Sequence, residues 1–468
     1  MNVNDPSARR RARALADQVV RGAGPNLAAW QAGADQLAAL ALSRDSETAA
    51  ATSRVLFRDV VEVLGDSFDP ALCDLYVDLF SRVIAAARRD PGLSAVDQLL
   101  NSFGLTTDEE ILRRANRVRR PTAFDLARRD AVRKVLVPSR VTLGADIAVT
   151  SVVLRKMKDV FPHAEIVLLG GVKAGAFFAS DSRVHLSEIA YARGGSLRDR
   201  LGAWPALVDL VRREIDGLTP EEYIVVDPDS RLTQLGLLPL VPDESRYYFF
   251  ESRSFPAEGS ACIGELTGKW LDDMFGAGSH PSLPYVGLPE EDLQRGIALI
   301  SVAAGRPLVA VNLGVGDNPA KRVVDPFEAE LLSLLHARGY AIVLDQGAGE
   351  EELARTSKLI RGLQESGASG SRLDDTPNAI ADVNVWQGSL NGFAGYIAAA
   401  NLYIGYDSAG GHLAAALGVP GIDIFAGASS PRMLERWTPW GAAPASVIAV
   451  EAGRSPADIL SAVWKRLP

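Results

Sequence analysis

Two series of alternating strands and helices constrain this chain more than any other feature of its sequence. The first begins near Lys134, where the apolar KVLVPSRV, a glycine turn, the helical VVLRKMKDVF and the apolar AEIVLLGG follow one another. The second begins just after Arg306 with PLVAVNLGVG, FEAELLSLLHARG and YAIVLDQG. A strand, a glycine-containing turn, a helix and a further strand form the βαβ unit of a parallel sheet. The sequence therefore predicts an α/β protein in which two Rossmann-like domains face a cleft.

Residues 1 to about 130 have a different sequence pattern, which predicts an all-helical module. Asp69 with Pro70 is typical of a helix start, and Pro91 with Gly92 of a helix end. Apolar side chains between them recur at helical spacing, at Cys73, Tyr76, Val77, Phe80, Val83 and Ile84. We expect three domains, 1–130, 131–285 and 286–468, with the option that the last helix crosses back onto the middle domain.

The composition excludes several classes of protein. The 468 residues carry a formal net charge of −9, which argues against a dedicated nucleic-acid binder. Cys73 and Cys262 are too few for a zinc or disulfide framework, and the histidines lack ligand spacing, so no metal site is expected. No secretory signal is evident, which favours a cytoplasmic location. The uncharged stretch between Asp382 and Asp407 contains too many polar residues for a membrane span.

The strongest chemical signal lies where the predicted strand LYIGYD runs into the helical GGHLAAALG. Unpaired amides at a helix start bind phosphate, and glycine permits close approach of the backbone. Such a segment is also an ordinary helix cap, so the sequence leaves both roles open. The residues concerned are Asp407, Ser408, Ala409, Gly410, Gly411 and His412.

Two further strand-to-helix loops are expected at the same edge of the second sheet. In VNLGVGDNPAKR the backbone near Asn312, Gly314 and Gly316 can border a nucleotide, and Lys321 and Arg322 carry positive charge toward a diphosphate. In QGAGEEE, Glu350 or Glu351 can accept hydrogen bonds from ribose hydroxyls. Acidic residues at a helix start are equally typical of a solvated N-terminus.

In the first series the notable residue is Asp146, which lies in LGAD just past the first strand. A carboxylate that faces the cleft can accept a proton from an acceptor hydroxyl. The same residue can equally cap the helix that starts at Ile147.

Taken together, these segments resemble glycosyltransferase family 9, the lipopolysaccharide heptosyltransferase family, which has the glycosyltransferase B fold. LGAD is similar to the family's Leu-Gly-Asp turn with one extra alanine, Ala145, and Thr150 keeps the four-residue spacing. The lysine loop and Ser389 resemble its nucleotide-phosphate loop and the approach to its signature. DSAGGH resembles the signature Asp-Thr-Gly-x-x-His, with Ser408 and Ala409 in place of threonine and glycine. The resemblance covers about residues 134–468 and leaves out the helical module.

The resemblance implies an inverting, metal-independent transfer of a heptose or related sugar from a nucleoside diphosphate sugar. Asp146 is then the general base, with Gly144, Ala145 and Thr150 beside it on the acceptor side. The donor is a substrate rather than a cofactor, and an ADP-sugar is the first expectation. The implied donor-binding residues are Asn312, Gly314, Gly316, Lys321, Arg322, Glu350, Glu351, Ser389 and the segment Asp407–His412.

Other functions and partners stay open at this level. A sugar-nucleotide 2-epimerase on the same fold and a non-catalytic nucleotide-sugar-binding or scaffold protein are the alternatives. The abundance of Ala, Arg, Asp and Gly suggests a GC-rich bacterial genome, so the acceptor is left open among a glycan, a natural product and a protein. Residues 1–130 are candidates for homo-oligomer formation or partner binding.

Overall fold

The computed structural model describes residues 10, 13–14, 16–17, 27–192, 194–256, 261–316, 318–347, 349–373 and 379–468. These residues form a helical module followed by two lobes, each built on a parallel sheet. The predicted fold class, two Rossmann-like domains preceded by helices, is confirmed.

The helical module is held together by an apolar core that includes Trp30, Phe80 and Ile84. The predicted helix start is correct, since the Asp69 carboxylate accepts hydrogen bonds from the Ala71 and Leu72 amides. A π-helical segment, Leu56–Val61, joins the second and third helices. The helices are α1 (Leu27–Ala41), α2 (Ser46–Val55), α3 (Glu62–Gly65), α4 (Pro70–Ala87), α5 (Ser94–Ser102) and α6 (Asp108–Val118).

The first lobe contains a five-stranded parallel sheet in the order β3-β2-β1-β4-β5. Its strands are β1 (Lys134–Pro138), β2 (Glu165–Gly170), β3 (Val184–Glu188), β4 (Tyr223–Asp227) and β5 (Tyr247–Phe249). Its helices are α7 (Leu143–Ala145), α8 (Ser151–Val160), α9 (Val172–Gly175), α10 (Leu197–Glu214) and α11 (Ile263–Phe275). A second π-helical segment, Asp146–Thr150, lies between α7 and α8.

The second lobe contains a seven-stranded parallel sheet in the order β12-β11-β10-β6-β7-β9-β8. Its strands are β6 (Leu308–Asn312), β7 (Ala341–Asp345), β8 (Gly370–Arg372), β9 (Val383–Trp386), β10 (Leu402–Tyr406), β11 (Gly421–Ala426) and β12 (Ala445–Val450). Its helices are α12 (Glu290–Val302), α13 (Phe327–Ala337), α14 (Glu350–Glu365), α15 (Leu390–Ala399), α16 (Ala409–Ala416), α17 (Pro431–Trp437) and α18 (Pro456–Trp464).

The chain passes from the first lobe to the second between Phe275 and Glu290. Helix α11 packs on α8 of the first lobe, whereas α12 packs on α15 of the second. The last helix, α18, packs on α13 and β12 and therefore stays in the second lobe instead of crossing back. Within the part of the chain that the structure describes, no helix combines the length and apolarity that a bilayer span requires.

The helical module packs closely against the first lobe and shares its core. Trp204 and Tyr247 of the lobe belong to the same apolar cluster as Trp30. The buried Arg114 of α6 donates a hydrogen bond to the Gly236 carbonyl. The Leu197 amide, at the start of α10, donates to Ser53 Oγ at 2.9 Å. The module is therefore a packed part of the structure rather than an appended arm.

The crossing of α12 and α15 depends on two glycines. A Cβ at Gly395 would lie 1.9 Å from the Asp292 carbonyl oxygen, and one at Gly296 would lie 2.2 Å from the Gly395 carbonyl oxygen. No side chain fits between backbones at these distances, so glycine sets the separation of the two helices.

We expect Gly395→Ala to lower the free energy of unfolding by about 3 kcal/mol, because the added methyl forces the helices apart. Gly362→Ala is the matched control, since a Cβ on this exposed residue of α14 meets nothing within 4 Å. Its loss of backbone freedom in the unfolded chain favours a gain of about 0.5 kcal/mol. Urea denaturation of both variants measures the difference, and equal stabilities would contradict the packing argument.

Candidate active site

Three loops that the sequence singles out leave neighbouring strands of the second sheet. Strand β6 lies between β10 and β7, and each of the three loops follows the carboxyl end of its strand. Lys321 Nζ lies 2.5 Å from Asp407 Oδ2, which joins the β6 loop to the β10 loop. Asn312 Nδ2 donates to Asp345 Oδ2 at 2.7 Å, which joins β6 to β7. The sheet order reverses between β10 and β6, the place where open α/β sheets bind ligands.

Helix α16 begins at this edge with a side-chain cap. Ser408 is its N-cap residue, and Ser408 Oγ accepts a hydrogen bond from the Gly410 amide at 3.3 Å. Asp407, Ser408 and Ala409 are half-buried, so the start of this helix is partly exposed to solvent. A helix N-terminus carries a partial positive charge, and this one therefore offers favourable electrostatics to an anion.

Two polar side chains that sequence reasoning missed lie beneath the first turn of α16. A Cβ at Gly411 would lie 1.9 Å from Asp423 Oδ1, and one at Gly410 would lie 2.2 Å from the Tyr403 hydroxyl. Neither carboxylate oxygen of Asp423 has a hydrogen-bond partner in the described part of the chain. Burial raises the pKa of Asp423 well above its ordinary value, which favours the neutral acid. The sequence contains a signal that could have identified Asp423, because it is an aspartate inside the otherwise apolar strand GIDIFAG.

His412 is a packing residue in this arrangement. It is only 5% exposed, and its ring centroid lies 6.1 Å from that of Trp437. Burial lowers the pKa of His412 to about 4, against the opposing influence of Asp407. The imidazole is therefore neutral near pH 7.

The glycine loop after β6 is closed by a different glutamate from those expected. Glu352 Oε1 accepts hydrogen bonds from the Val315 amide at 3.0 Å and the Gly316 amide at 3.2 Å. The Gly314 amide donates to Asn312 Oδ1 at 2.9 Å. Glu350 and Glu351, at the solvated start of α14, are exposed. The carboxylate of this helix that contacts the glycine loop is therefore Glu352, and the expected contacts of Glu350 and Glu351 with a ribose stay a prediction.

Two other expected donor-binding residues have structural partners instead. Arg322 Nε donates to Glu328 Oε1 at 2.8 Å, and this salt bridge turns the guanidinium toward α13 rather than toward Asp407. Ser389 is exposed and caps α15, where its Oγ accepts from the Gly392 amide at 3.1 Å. Of the Lys-Arg pair, only Lys321 reaches the edge at which the loops meet.

Asp146 is buried, and its carboxylate is fully occupied. The residue is 1% exposed. Oδ1 accepts from the Arg140 amide at 2.7 Å and from Thr150 Oγ1 at 2.8 Å, and Oδ2 accepts from Ser139 Oγ at 2.8 Å. Burial raises its pKa, against these hydrogen bonds. In this arrangement Asp146 positions the loop after β1, and its expected role as general base stays a prediction.

The loop that Asp146 holds touches the second lobe. A Cβ at Gly144 would lie 3.3 Å from His412 Cδ2 and 3.5 Å from the Ala409 Cα. Ala145 is buried, and the π-helical turn that follows it has one more residue per turn than an α-helix allows. This wider turn accommodates the extra alanine while Thr150 still reaches Asp146.

The described residues contain no group of three or more His, Cys, Asp and Glu side chains arranged to hold a metal ion. The expectation of a metal-free reaction stays a prediction.

Comparisons with known proteins place these observations in a family. Residues 245–457 match the sequence model of glycosyltransferase family 9 (heptosyltransferase). The match covers the second lobe and the end of the first, so this part of the chain is similar to the family. The predicted resemblance and the enzyme class, a glycosyltransferase, are thereby confirmed. No curated protein matches the sequence significantly.

Solved structures of this class share the fold. A family 9 glycosyl transferase from Veillonella parvula is 17% identical and superimposes with a TM-score of 0.52. The alignment covers 72% of this chain and 97% of the Veillonella parvula chain. The ADP-heptose lipopolysaccharide heptosyltransferase II of Escherichia coli is 18% identical, with coverages of 71% and 98% and a TM-score of 0.48. More than a quarter of the chain lies outside each alignment.

The hydrogen bonds of Asp146 predict how two substitutions differ in stability. Asp146→Ala leaves three buried donors without an acceptor, and we expect it to lower the free energy of unfolding by about 3 kcal/mol. Asp146→Asn keeps one acceptor oxygen for Arg140 and Thr150, so its loss should be about 1 kcal/mol. Chemical denaturation measures both values. Wild-type stability of the alanine variant would show that the carboxylate does not hold this loop.

Proposed function

We propose that the protein transfers a sugar, a heptose or a relative of it, from a nucleoside diphosphate sugar to an acceptor nucleophile with inversion at the anomeric carbon. The family match supports the use of a nucleotide sugar. In one displacement the acceptor oxygen forms its bond to C1 while the bond from C1 to the diphosphate breaks. Negative charge grows on the departing diphosphate during this step.

The observation that carries the proposal is the position of Lys321 at the start of α16. Its ammonium lies beside Asp407, 3.4 Å from the backbone carbonyl of that residue, where the helix N-terminus opens to the cleft. The side chain of Lys321 is 25% exposed, so a diphosphate can approach it without unfolding the loop. A lysine and a helix N-terminus together stabilise a leaving phosphate electrostatically.

These two features supply the charge that a divalent cation provides in other phosphate-transfer sites. We therefore propose a metal-independent reaction. An ADP-sugar is the first donor to test, on the family resemblance alone. The acceptor is a hydroxyl or another nucleophile of a glycan, a natural product or a protein.

The buried Asp146 gives one alternative a specific argument. A scaffold protein that binds a nucleotide sugar but does not transfer it needs Lys321 and α16, and it needs no base beside the loop after β1. Turnover separates the two functions, since a scaffold binds the donor and never consumes it.

A donor screen tests the proposal directly. We expect calorimetry to detect binding of one class among ADP-, GDP-, UDP- and TDP-sugars, and the same donor to be consumed faster when acceptors are added. Chelator should leave the rate unchanged. Binding without consumption across the acceptor panel supports the scaffold, and release of nucleotide with an altered free sugar and no need for an acceptor supports an epimerase.

Removal of the lysine charge should weaken nucleotide binding. Lys321→Met loses a charge-assisted hydrogen bond of about 1.5–3 kcal/mol, so the Kd for ADP should rise roughly 10- to 100-fold. Lys358→Met is the control, because this lysine is exposed on α14 away from the strand ends. Calorimetric titration with ADP measures both. Equal affinities of the two variants would exclude Lys321 from the diphosphate site.

A further inference from the structure

A turn of the helical module, residues Gly65–Asp69, reaches the second lobe. We call it the Asp66 turn. Arg432 Nη1 donates to the Phe68 carbonyl at 2.8 Å, and the Phe68 ring lies 6.3 Å from that of Trp437 with an edge-to-face orientation. Trp437 in turn packs on His412, in the first helical turn of α16. The ring of Trp437 therefore lies between the turn and α16, the helix at which the diphosphate is proposed to bind.

The same turn also packs against the first lobe. A Cβ at Gly65 would lie 2.9 Å from Arg253 Nε, so the backbone of the turn approaches this guanidinium closely. Arg253 is 8% exposed and is held by a salt bridge to Asp229, just after β4. Asp66 follows Gly65 directly, and the charges of both Arg253 and Lys321, from the two lobes, act on its carboxylate.

The turn has a defined conformation. Ser67 Oγ donates to the Leu64 carbonyl at 2.7 Å, and the Asp69 carboxylate caps α4. Phe68 is 3% exposed, belongs to the apolar core shared by the two lobes and has a φ of 52°. A phenylalanine adopts this left-handed conformation only where its surroundings compensate the strain. Burial of its ring between the lobes provides that compensation.

Asp66 lies in a turn that contacts both lobes, and its carboxylate is free. It is half-buried, and its carboxylate makes no hydrogen bond or salt bridge with any described residue. The charged groups that act on it are Arg253 and Arg231 of the first lobe and Lys321 and Asp407 of the second. Burial raises the pKa of Asp66, against the effect of the three cations.

Three other carboxylates after the strands of the two sheets are already engaged. Asp146 accepts three hydrogen bonds, and Asp227 accepts from Thr233 Oγ1, the Tyr247 hydroxyl and the Ser230 amide. Asp407 is paired with Lys321. Of these four residues, only Asp66 has a carboxylate without a hydrogen-bond or ion-pair partner among the described residues.

We propose that Asp66, supplied by the helical module, is the catalytic carboxylate that removes the proton from the acceptor during sugar transfer. This inference rests on the proposed function. The acceptor O–H proton passes to a carboxylate oxygen of Asp66, the acceptor oxygen bonds to C1, and the electron pair of the broken C1–O bond leaves with the nucleoside diphosphate. The module is then part of the active site, which explains its packing against both lobes.

The test uses the full-length chain and the donor that the binding screen selects, with ADP-heptose tried first. Asp66→Asn should lower donor hydrolysis by water roughly 10²- to 10⁴-fold, the usual contribution of a positioned base. The Kd for ADP should stay within about twofold, since the carboxylate is not proposed to hold the diphosphate. In the wild type, kcat/KM should fall as the pH drops through the raised pKa of Asp66, and this dependence should vanish in the variant. Glu62→Gln, an exposed position on α3, is the matched control and should behave as wild type.

Azide distinguishes a base from a merely structural residue. The azide anion attacks C1 without losing a proton, so Asp66→Asn should form glycosyl azide at the wild-type rate. Loss of turnover with both water and azide would overturn the proposal, as would hydrolysis within threefold of wild type. If Asp66→Asn fails to fold, Asp66→Ala with added formate replaces it: restored hydrolysis supports the base, and no restoration in the folded variant overturns it. A wild-type chain that consumes no donor fails the proposed function itself, and the inference falls with it.

Discussion

The first turn of α16 is the contact on which the rest of the structure depends. Gly410 and Gly411 let it rest on Tyr403 and Asp423, and Gly144 of the first lobe approaches it from the other side. Side chains at Gly410 and Gly411 would push the helix away from its own sheet, and one at Gly144 would press against His412 of the other lobe. The helical module joins this contact through Trp437, which packs between His412 and Phe68.

Two effects reduce the negative charge of the carboxylates near the start of α16: burial, which raises their pKa, and pairing with a lysine. Burial raises the pKa of Asp423 well above its ordinary value and that of Asp345 to about 6. Protonation of Asp423, which this shift favours, removes negative charge from beneath the turn where a diphosphate is proposed to bind. Asp407 offsets its charge by pairing with Lys321. The arrangement thus avoids the repulsion that a cluster of ionised acids would exert on a phosphate.

Much of the fold could be predicted because strands, glycine turns and helix caps are each encoded in a few consecutive residues. The apolar strands at KVLVPSRV and LYIGYD, the glycine turns after them and the cap at Asp69 all lie where the sequence placed them. Asp146 shows where such reasoning ends. Its position after β1 was predicted, but a carboxylate after a strand can face the cleft or fold back on its own loop. Ser139, Arg140 and Thr150 decide this by offering three donors in the buried direction.

The sequence by itself determined the α/β class, the two strand-helix series and the family likeness, because periodicity, glycine turns and the DSAGGH segment are written in consecutive residues. Only the tertiary structure decided which charged side chains meet. Glu352 rather than Glu350 closes the glycine loop, and Arg322 pairs with Glu328. The charge of Lys321 acts on Asp66, although the two residues are separated in sequence by more than half the length of the chain. The physical reason is that a side chain's role depends on its partners in space, and packing brings those partners together from distant segments.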